Sequence, residues 1–513
     1  MARIRASVEG ALFASPANLG TPLNPIDLSV IVVYFIATLG IGFWVSRGQK
    51  SSSDYFLGAR DLPALGVLLS IVATETSALT VISIPGVGAR GDLTFLQLPF
   101  GYLIGRIGVA LWLLPGYFRG DQDTAYTRLE ARFGTATRRL LSVVFLGTRF
   151  LGDGVRVFAG AIPLALLTGW SIPTAILAMG TVTLVYTYFG GIKAVIYADV
   201  IQLVVYLSGG IAALVIAVHV AGGLANAQAL ASAAGKLRVF DFHFSLTTPY
   251  TFLGGLLGGA LLAAASHGTD HLIVQRLLAT RSLRDARIAL IGSGVVVILQ
   301  FTLFLMVGIA LWAAQLAPTD VPSDQLFGAF ILAHLPVGLA GLVIAGILAA
   351  AMSSHSSAIN ALASSMTYDL YAGYTGEQDQ VKLLRIGRVV SLVWGVALMG
   401  AALGFHLLTT GNDTPVVVLA LSIASVTYGA TLGVYVLGGA GPRIDGTDVI
   451  RAACCTMAVM LVTIFAKQLA LHGAPWLTQL GRLAWPWYVP MGLIITLVVA
   501  NISSWLRGKV VLT

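Results

Sequence analysis

The sequence predicts an all-α integral membrane protein, a bundle of about thirteen transmembrane helices. Three observations carry that expectation. Hydrophobic residues make up 57% of the 513 and charged residues 10%, against about 25% charged residues in soluble domains. Apolar runs of about 20 residues recur from Ile26 to Leu506, with only short polar breaks and no stretch left over for a soluble domain. With the N-terminus outside, about 20 basic residues fall in cytoplasmic segments, among them Arg60, Arg119, Arg128, Arg138, Arg276, Arg281 and Lys382, and about 7 fall outside, among them Arg3, Arg5 and Lys236. That asymmetry also places the C-terminus in the cytoplasm. The net charge of +8 therefore reports topology rather than nucleic-acid binding.

The elements follow in order. Residues 1–20 carry two arginines, but Glu9 interrupts their apolar part, so no cleaved signal peptide is expected. A first helix covers about 27–45 after Pro25, and a second starts near Pro63 and stops near Pro85-Gly86. Further spans fall near 95–117, 140–167, 172–188, 195–220, 252–267 and 288–312. The last five fall near 337–371, 389–408, 416–437, 452–471 and 485–505. The segment from Arg119 to Arg139 mixes Tyr126, Leu129 and Phe133 with charges, as an interfacial helix on the cytoplasmic face would. Two long connections are external: 222–249, and the stretch from Pro322 to Pro336, whose Leu326, Phe327, Phe330 and Ile331 suggest a short surface helix able to act as an outer lid. Gly101-xxx-Gly105 and the run from Gly254 to Gly259 permit close helix approach, and the second precedes a helix end at Ser266 to Asp270. Cys454 and Cys455 read as buried, unbridged packing residues, because adjacent positions on a helix point about 100° apart.

Chemistry concentrates in a few places. The second span reads Ala73-Thr74-Glu75-Thr76-Ser77-Ala78-Leu79-Thr80, a hydroxyl-rich stretch with a carboxylate at membrane depth. A charge near the bilayer centre costs about 2.5–3.5 kcal/mol on insertion scales, so Glu75 should face a protein interior or a wet cavity. The stretch is either a helix broken at midplane, which frees carbonyls for ions and solute, or a continuous helix with a close-packed face. In the ninth span, Ser353, Ser357 and Asn360 share a helical face flanked by Ser354 and Ser356. Neutral hydroxyls with freed carbonyls suit a weakly held monovalent cation rather than a transition metal, and a serine-rich packing face explains the same spacing. His355 is expected to be satisfied locally. Asp199 has no partner on its own helix and should pair with another helix or an ion. Arg149, Asp153 and Arg156 can meet on one helix face, as a structural ion pair or with Arg156 left to meet an anionic solute group. No Walker loop, zinc spacing or nucleophile elbow occurs, so an ATP-driven pump or an intramembrane hydrolase would lack its working residues and no enzyme activity is expected.

Taken together, Asp54-Tyr55-Phe56-Leu57-Gly58, the Ala73 to Thr80 stretch, Gly190-Gly191-Ile192-Lys193-Ala194-Val195 with Asp199 and Gln202, Gln275-Arg276 and Ser353-Ser354 resemble the sodium:solute symporter family over nearly the whole chain. The resemblance implies the leucine-transporter fold in one transmembrane domain, 1–513. Its core is an inverted five-helix repeat, 62–220 and 250–440, with an extra N-terminal helix at 27–47 and two C-terminal helices at 448–507. It implies a sodium site at the carbonyls of Ala73, Thr76 and Ala350 with the hydroxyls of Ser353 and Ser354. A further sodium site, known in the sialic-acid branch, maps to Asp199, Ser356 and Ser357. Solute contacts map to Glu75, Ser77, Thr80, Gln97 and Arg156. Asp270-His271 stands where the family often has Asp-Gln, and Glu75 where sugar carriers are often uncharged, so the resemblance leaves the solute open among sugar, sugar acid, monocarboxylate, amino acid and vitamin.

The function expected is sodium-coupled secondary active symport of a small organic solute into the cell by alternating access, with Na+ as the coupling ion. A proton-coupled symporter, through Glu75 and Asp199, and a non-transporting membrane solute sensor are the alternatives. The expected surroundings are the lipid bilayer of the plasma or inner membrane, with no nucleic acid and no obligatory protein partner.

Overall fold

A computed structural model describes residues 24–45, 49–120, 122–319, 321–409, 416–439, 443–471 and 475–510. Arg3, Arg5, Arg47 and the N-terminal segment read against a signal peptide lie outside the described residues. Among the described residues the elements are helical, with one isolated bridge between Leu62 and Thr280.

The bundle runs α1 (Pro25–Val45), α2 (Ala64–Glu75), α3 (Ala78–Arg90), α4 (Gln97–Gly108), α5 (Thr127–Phe133), α6 (Thr135–Thr168), α7 (Ile172–Val220), α8 (Gly259–Gly268), α9 (His271–Leu278), α10 (Leu283–Ala313), α11 (Ser323–His334), α12 (Leu339–Ser365), α13 (Gln380–Thr409), α14 (Val416–Leu437), α15 (Gly446–Ile464) and α16 (Tyr488–Val510). Length and apolarity alone mark 8 membrane spans among the described residues, or 9 when α2 and α3 count as one bent span. α6 misses that criterion because it carries Arg149, Asp153 and Arg156 in its middle. α7 is two helices in one, kinked at Gly191, whose φ of +54° only glycine adopts without strain. A side chain there would also strike the Tyr55 carbonyl.

α12 lies deepest in the bundle. Nearly all of its residues are buried, because it packs against α7 on one side and α6 on the other. α1 buttresses it from outside: the Asp27 carboxylate accepts from Gly338 N–H and Gly341 N–H, both at 2.7 Å, and so caps the start of α12. The two glycine motifs meet each other. A Cβ at Gly101 would lie 2.4 Å from the Gly255 carbonyl, and one at Gly105 would lie 2.1 Å from the Ala260 carbonyl, so α4 and α8 touch backbone to backbone.

Four expectations need correction. The segment from Arg119 to Arg139 does form a helix, α5, but Tyr126, Leu129 and Phe133 are buried in protein rather than presented to a membrane surface. Arg132 bonds the Ile444 carbonyl and ties that helix inward, while Arg138, on α6, bonds the Tyr368 carbonyl. α11 likewise buries Leu326, Phe327, Phe330 and Ile331 against α3, so the expected surface helix is a docked one. Cys454 and Cys455 are exposed, on the face of α15 that turns away from α14 and α16. Arg276, assigned to the cytoplasmic side by its place in sequence, is fully buried in the bundle, for reasons that belong to the site.

Candidate functional site

Two helices break at depth, and their breaks carry the polar clusters. α2 ends at Glu75, and α3 leaves at 66°. Thr76 (φ −84°, ψ 105°) and Ser77 (φ −91°, ψ 166°) are extended between them, so the backbone here leaves the helical ladder and frees carbonyls. Thr and Ser favour that exit because their hydroxyls compete for backbone bonds. The side chain of Thr76 is clamped: it donates to Val72 O (2.8 Å) and accepts from Gln300 Nε2 (2.7 Å), while the Tyr206 hydroxyl donates to Gln300 Oε1 (3.0 Å). The second break lies between α8 and α9. There Asp270 caps α9 through Leu272 N–H (3.0 Å) and accepts from Arg149 Nη2 (2.5 Å) and the Tyr428 hydroxyl (3.2 Å).

The serines of α12 lie against the first break. Ser354 Oγ donates to Ala350 O (3.2 Å) and reaches Thr74 O at 3.5 Å. Ser353 Oγ donates to Asp199 Oδ1 (2.5 Å). Ser357 Oγ meets Thr74 Oγ1 (3.1 Å), and Ser356 Oγ donates to the Ser353 carbonyl (3.1 Å). Ala73, Ala350, Ser353, Ser354, Ser356 and Ser357 are all buried. α2 and α12 thus meet through Thr74, with Ala73 and Thr76 of the first expected ion site at the end of α2 and Ala350, Ser353 and Ser354 on α12.

Asp199 is fully buried and finds its partner on another helix. Its Oδ2 accepts from Ser70 Oγ (2.5 Å) and from Arg276 Nη2 (3.3 Å). Arg276 spends its remaining donors on Ser70 Oγ (2.9 Å), Leu272 O (2.8 Å) and Ser357 Oγ. Asp199, Ser356 and Ser357 therefore share a neighbourhood without bonding one another, and a guanidinium joins two of them. Burying two opposite charges costs least when both are also hydrogen-bonded, and here the carboxylate accepts from Ser70, Ser353 and Arg276 while the guanidinium reaches four acceptors. The Gln202 amide donates to the Tyr34 hydroxyl (3.0 Å), linking α7 to α1 beside this cluster.

The remaining expected residues distribute as follows. Glu75 pairs with Arg106 of α4 and lies 3.6 Å from His267 Nε2 of α8. Ser77 and Thr80 face each other at 3.5 Å on the opening turn of α3. Gln97 is fully committed to backbone groups: it donates to Thr94 O and Tyr250 O and accepts from Asp241 N–H (3.0 Å). Arg156 bonds Asp153 one turn before it (2.8 Å), and Arg149 stands 3.7 Å from the same carboxylate. His355 corrects the expectation of a local partner. Neither ring nitrogen has a hydrogen-bond partner among the described residues. Two residues along from Ser353, it points away from the serine face, into the space left by Gly180 beside Met399.

Sequence reasoning missed Gln300, Tyr206, Arg106, His267 and Arg276 as parts of these clusters. Arg106 alone carried a signal, a charge inside an apolar span. Among the described residues no group of three or more His, Cys, Asp or Glu could hold a metal ion, so the oxygen-rich contact between α2 and α12 is built from hydroxyls and carbonyls.

A helical bundle with paired helix breaks around buried polar clusters at membrane depth defines a secondary carrier. The sodium:solute symporter family model matches residues 55–445. The human sodium/iodide cotransporter is 30% identical over 448 residues, covering 85% of this chain and 69% of its own. A sodium/sialic acid symporter of Aliivibrio fischeri is 27% identical, covering 84% and 86%. The sodium/glucose cotransporter of Vibrio parahaemolyticus is 28% identical, covering 74% of each. The solved substrate-bound, outward-open state of a Na+-coupled sialic acid symporter superposes with a TM-score of 0.81 at 24% identity, over 94% of this chain and 98% of that one. The chain belongs to the sodium:solute symporter family. It is a multi-pass membrane carrier of the leucine-transporter fold that couples solute movement to sodium, and not an enzyme.

Proposed function

We propose that the coupling sodium binds where the first break meets α12, held by the carbonyls of Ala73, Thr76 and Ala350 and the hydroxyls of Ser353 and Ser354. The approach of Ser354 Oγ to Thr74 O across the two helices carries this reading. Five neutral oxygens hold a monovalent cation weakly enough to release it, which a carrier needs. Sodium there bridges the broken helix to the most buried helix of the bundle and favours the outward-open state. A small organic solute then binds beside the break at Glu75, Ser77 and Thr80, and the bundle rocks inward. The membrane potential contributes about 2.3 kcal/mol per charge per 100 mV. Relatives carry iodide, monocarboxylates, sialic acid, vitamins and glucose by their names, a spread that leaves the cargo of this chain to its own site.

A second sodium at Asp199, Ser356 and Ser357 has to share Asp199 with Arg276. Gln97 and Arg156 would reach solute only after leaving their present bonds. The chain crosses the plasma or inner membrane in thirteen spans: α1; α2 with α3; α4 extended to Tyr117; α6; the two halves of α7; α8 with α9; α10; α12; α13; α14; α15; and α16. Its N-terminus is outside and its C-terminus cytoplasmic, with 62–220 and 250–440 as the inverted repeats. Uptake into proteoliposomes tests the sodium assignment. Ser353→Ala should lower apparent sodium affinity at unchanged solute specificity, and uptake indifferent to sodium, with Ser353→Ala equal to wild type, would sink it.

A further inference from the structure

The Glu75, Arg106 and His267 cluster is unlike the Asp199 cluster in having one open face. Arg106 is fully buried. It comes from α4, donates Nη1 to Ser293 Oγ (2.7 Å) and Nη2 to Glu75, and its Nε–H has no partner among the described residues. His267, at the end of α8, meets Ser266 Oγ through Nδ1 (2.8 Å), while its Nε2 makes no hydrogen bond among the described residues and stands 3.6 Å from the Glu75 carboxylate. The Glu75 side chain keeps 22% of its surface exposed. Three charged or polar side chains from three helices thus converge at the end of α2, with two buried polar atoms unsatisfied and one carboxylate accessible.

Buried polar atoms in native proteins are nearly always paired, so orphans at a site point to something that completes it. The pair itself fixes what that is. Glu75 and Arg106 form a fixed dipole with its negative end accessible, and the field of such a dipole is complemented by the opposite dipole. A simple anion meets the Glu75 carboxylate first. A neutral polyol gains only hydrogen bonds from a site built around two charges. A dipolar ion places its cationic nitrogen on Glu75 and its anionic end toward the orphaned Arg106 Nε–H. The first turn of α3 helps, because its N-cap, Ser77, makes no side-chain cap bond and leaves the positive helix end uncovered beside the break.

We propose that Glu75, Arg106 and His267 are the solute-recognition centre and that its solute is a zwitterion of the amino-acid class, with an ammonium on Glu75 and a carboxylate toward Arg106. Glu75 is a contact residue. Arg106 sets its charge and geometry, and His267 lines the same side. This assignment rests on the reading of the first break as the sodium and solute region.

The test uses full-length protein in detergent and follows its melting temperature in NaCl or KCl. The added probes are alanine and proline as zwitterions, lactate and pyruvate as anions, and glucose and myo-inositol as neutral polyols. In NaCl a zwitterion should raise the melting temperature by at least about 2 °C while the others leave it unchanged. Glu75→Gln alone strands a buried guanidinium and can fail to fold, so the deciding variant is the double substitution Glu75→Gln with Arg106→Met, which removes both charges together. It should keep the shift produced by NaCl over KCl and lose the shift produced by the zwitterion. A wild-type shift with lactate or glucose and none with a zwitterion overturns the proposal, as does a double variant that keeps the zwitterion shift or a panel in which no zwitterion acts. Loss of the NaCl-over-KCl shift in Ser353→Ala tests the sodium reading separately, so failure of one is distinguishable from failure of the other.

Discussion

Two carboxylate-arginine pairs of this bundle, Asp199 with Arg276 and Glu75 with Arg106, are built to different ends. Asp199 and Arg276 are both fully buried, and Ser70, Ser353, Thr74 and Ser357 close around them. Glu75 and Arg106 have one open side and two orphaned neighbours, Arg106 Nε and His267 Nε2. A closed pair locks helices together: α2, α7, α9 and α12 all meet at Asp199. An open pair leaves free energy of interaction unspent for a ligand that enters. The difference separates what holds the core from what the core can bind.

Breaking the closed pair should have the largest effect. Arg276→Met leaves the Asp199 carboxylate with hydroxyl donors only, and loss of one partner of a buried pair costs about 3–5 kcal/mol. The expected outcome is a large fall in melting temperature or failure to accumulate in the membrane, read by fluorescence-detected size exclusion. A variant as stable as wild type would show that the pair is not a lock. Ser353→Ala comes next, since it removes one expected sodium ligand and one donor to Asp199. Apparent sodium affinity in proteoliposome uptake should fall about tenfold, equivalent to about 1.4 kcal/mol. A change in solute affinity at constant sodium affinity would instead assign Ser353 to the solute side.

The same comparison explains how far the sequence could be read. Helix existence was legible because apolar runs of membrane length admit few alternatives, and the break at Thr76 and Ser77 was legible because hydroxyls and a carboxylate interrupt such a run. Asp199 was legible as a residue in need of a partner. Its partner was not, because Arg276 sits near a predicted cytoplasmic turn, and only the break between α8 and α9 carries it into the bundle. Arg106 is a charge within an apolar span, yet nothing in sequence spacing joins it to Glu75, 31 residues away. His355 was misread because helical phase says which way a side chain points and not what waits there. Gly180 leaves it room without a hydrogen-bonding group. Cys454, Cys455 and the basic segment around α5 failed for one reason: in a membrane protein, apolar or amphipathic character does not distinguish protein-facing from lipid-facing surface.

A smaller effect is expected where the two regions join. Gln300 and Tyr206 clamp the Thr76 side chain at the break. Gln300→Ala removes one bond to Thr76 and one to Tyr206 and leaves those hydroxyls held by each other and by Val72 O, a loss of about 1 kcal/mol per bond. Apparent sodium affinity should fall several-fold, while Gln300→Glu, which keeps an acceptor for Tyr206, should recover part of it. Equal sodium activation curves for Gln300→Ala and wild type would mean that the break holds its shape without the clamp.

The smallest effect lies on the short helix α5, outside the membrane-length helices. Glu130 bonds Arg138 (2.6 Å), which also bonds Asp369 (2.8 Å), and Thr135 donates to the other Glu130 oxygen (2.8 Å). Partial burial pushes the Glu130 carboxyl up, but the bonds to Arg138 and Thr135 outweigh it and hold the group below its ordinary value. A carboxylate lowered on folding stabilises the fold above its unfolded value, about 4.3, and that contribution disappears as pH falls through the folded value. Because Glu130 is partly exposed, solvent screening keeps the gain to under about 1 kcal/mol. Melting temperature should therefore drop slightly more between pH 6 and pH 4 for wild type than for Glu130→Gln, which has no proton to take up. An identical pH profile for the two would show that this contact positions α5 without stabilising it.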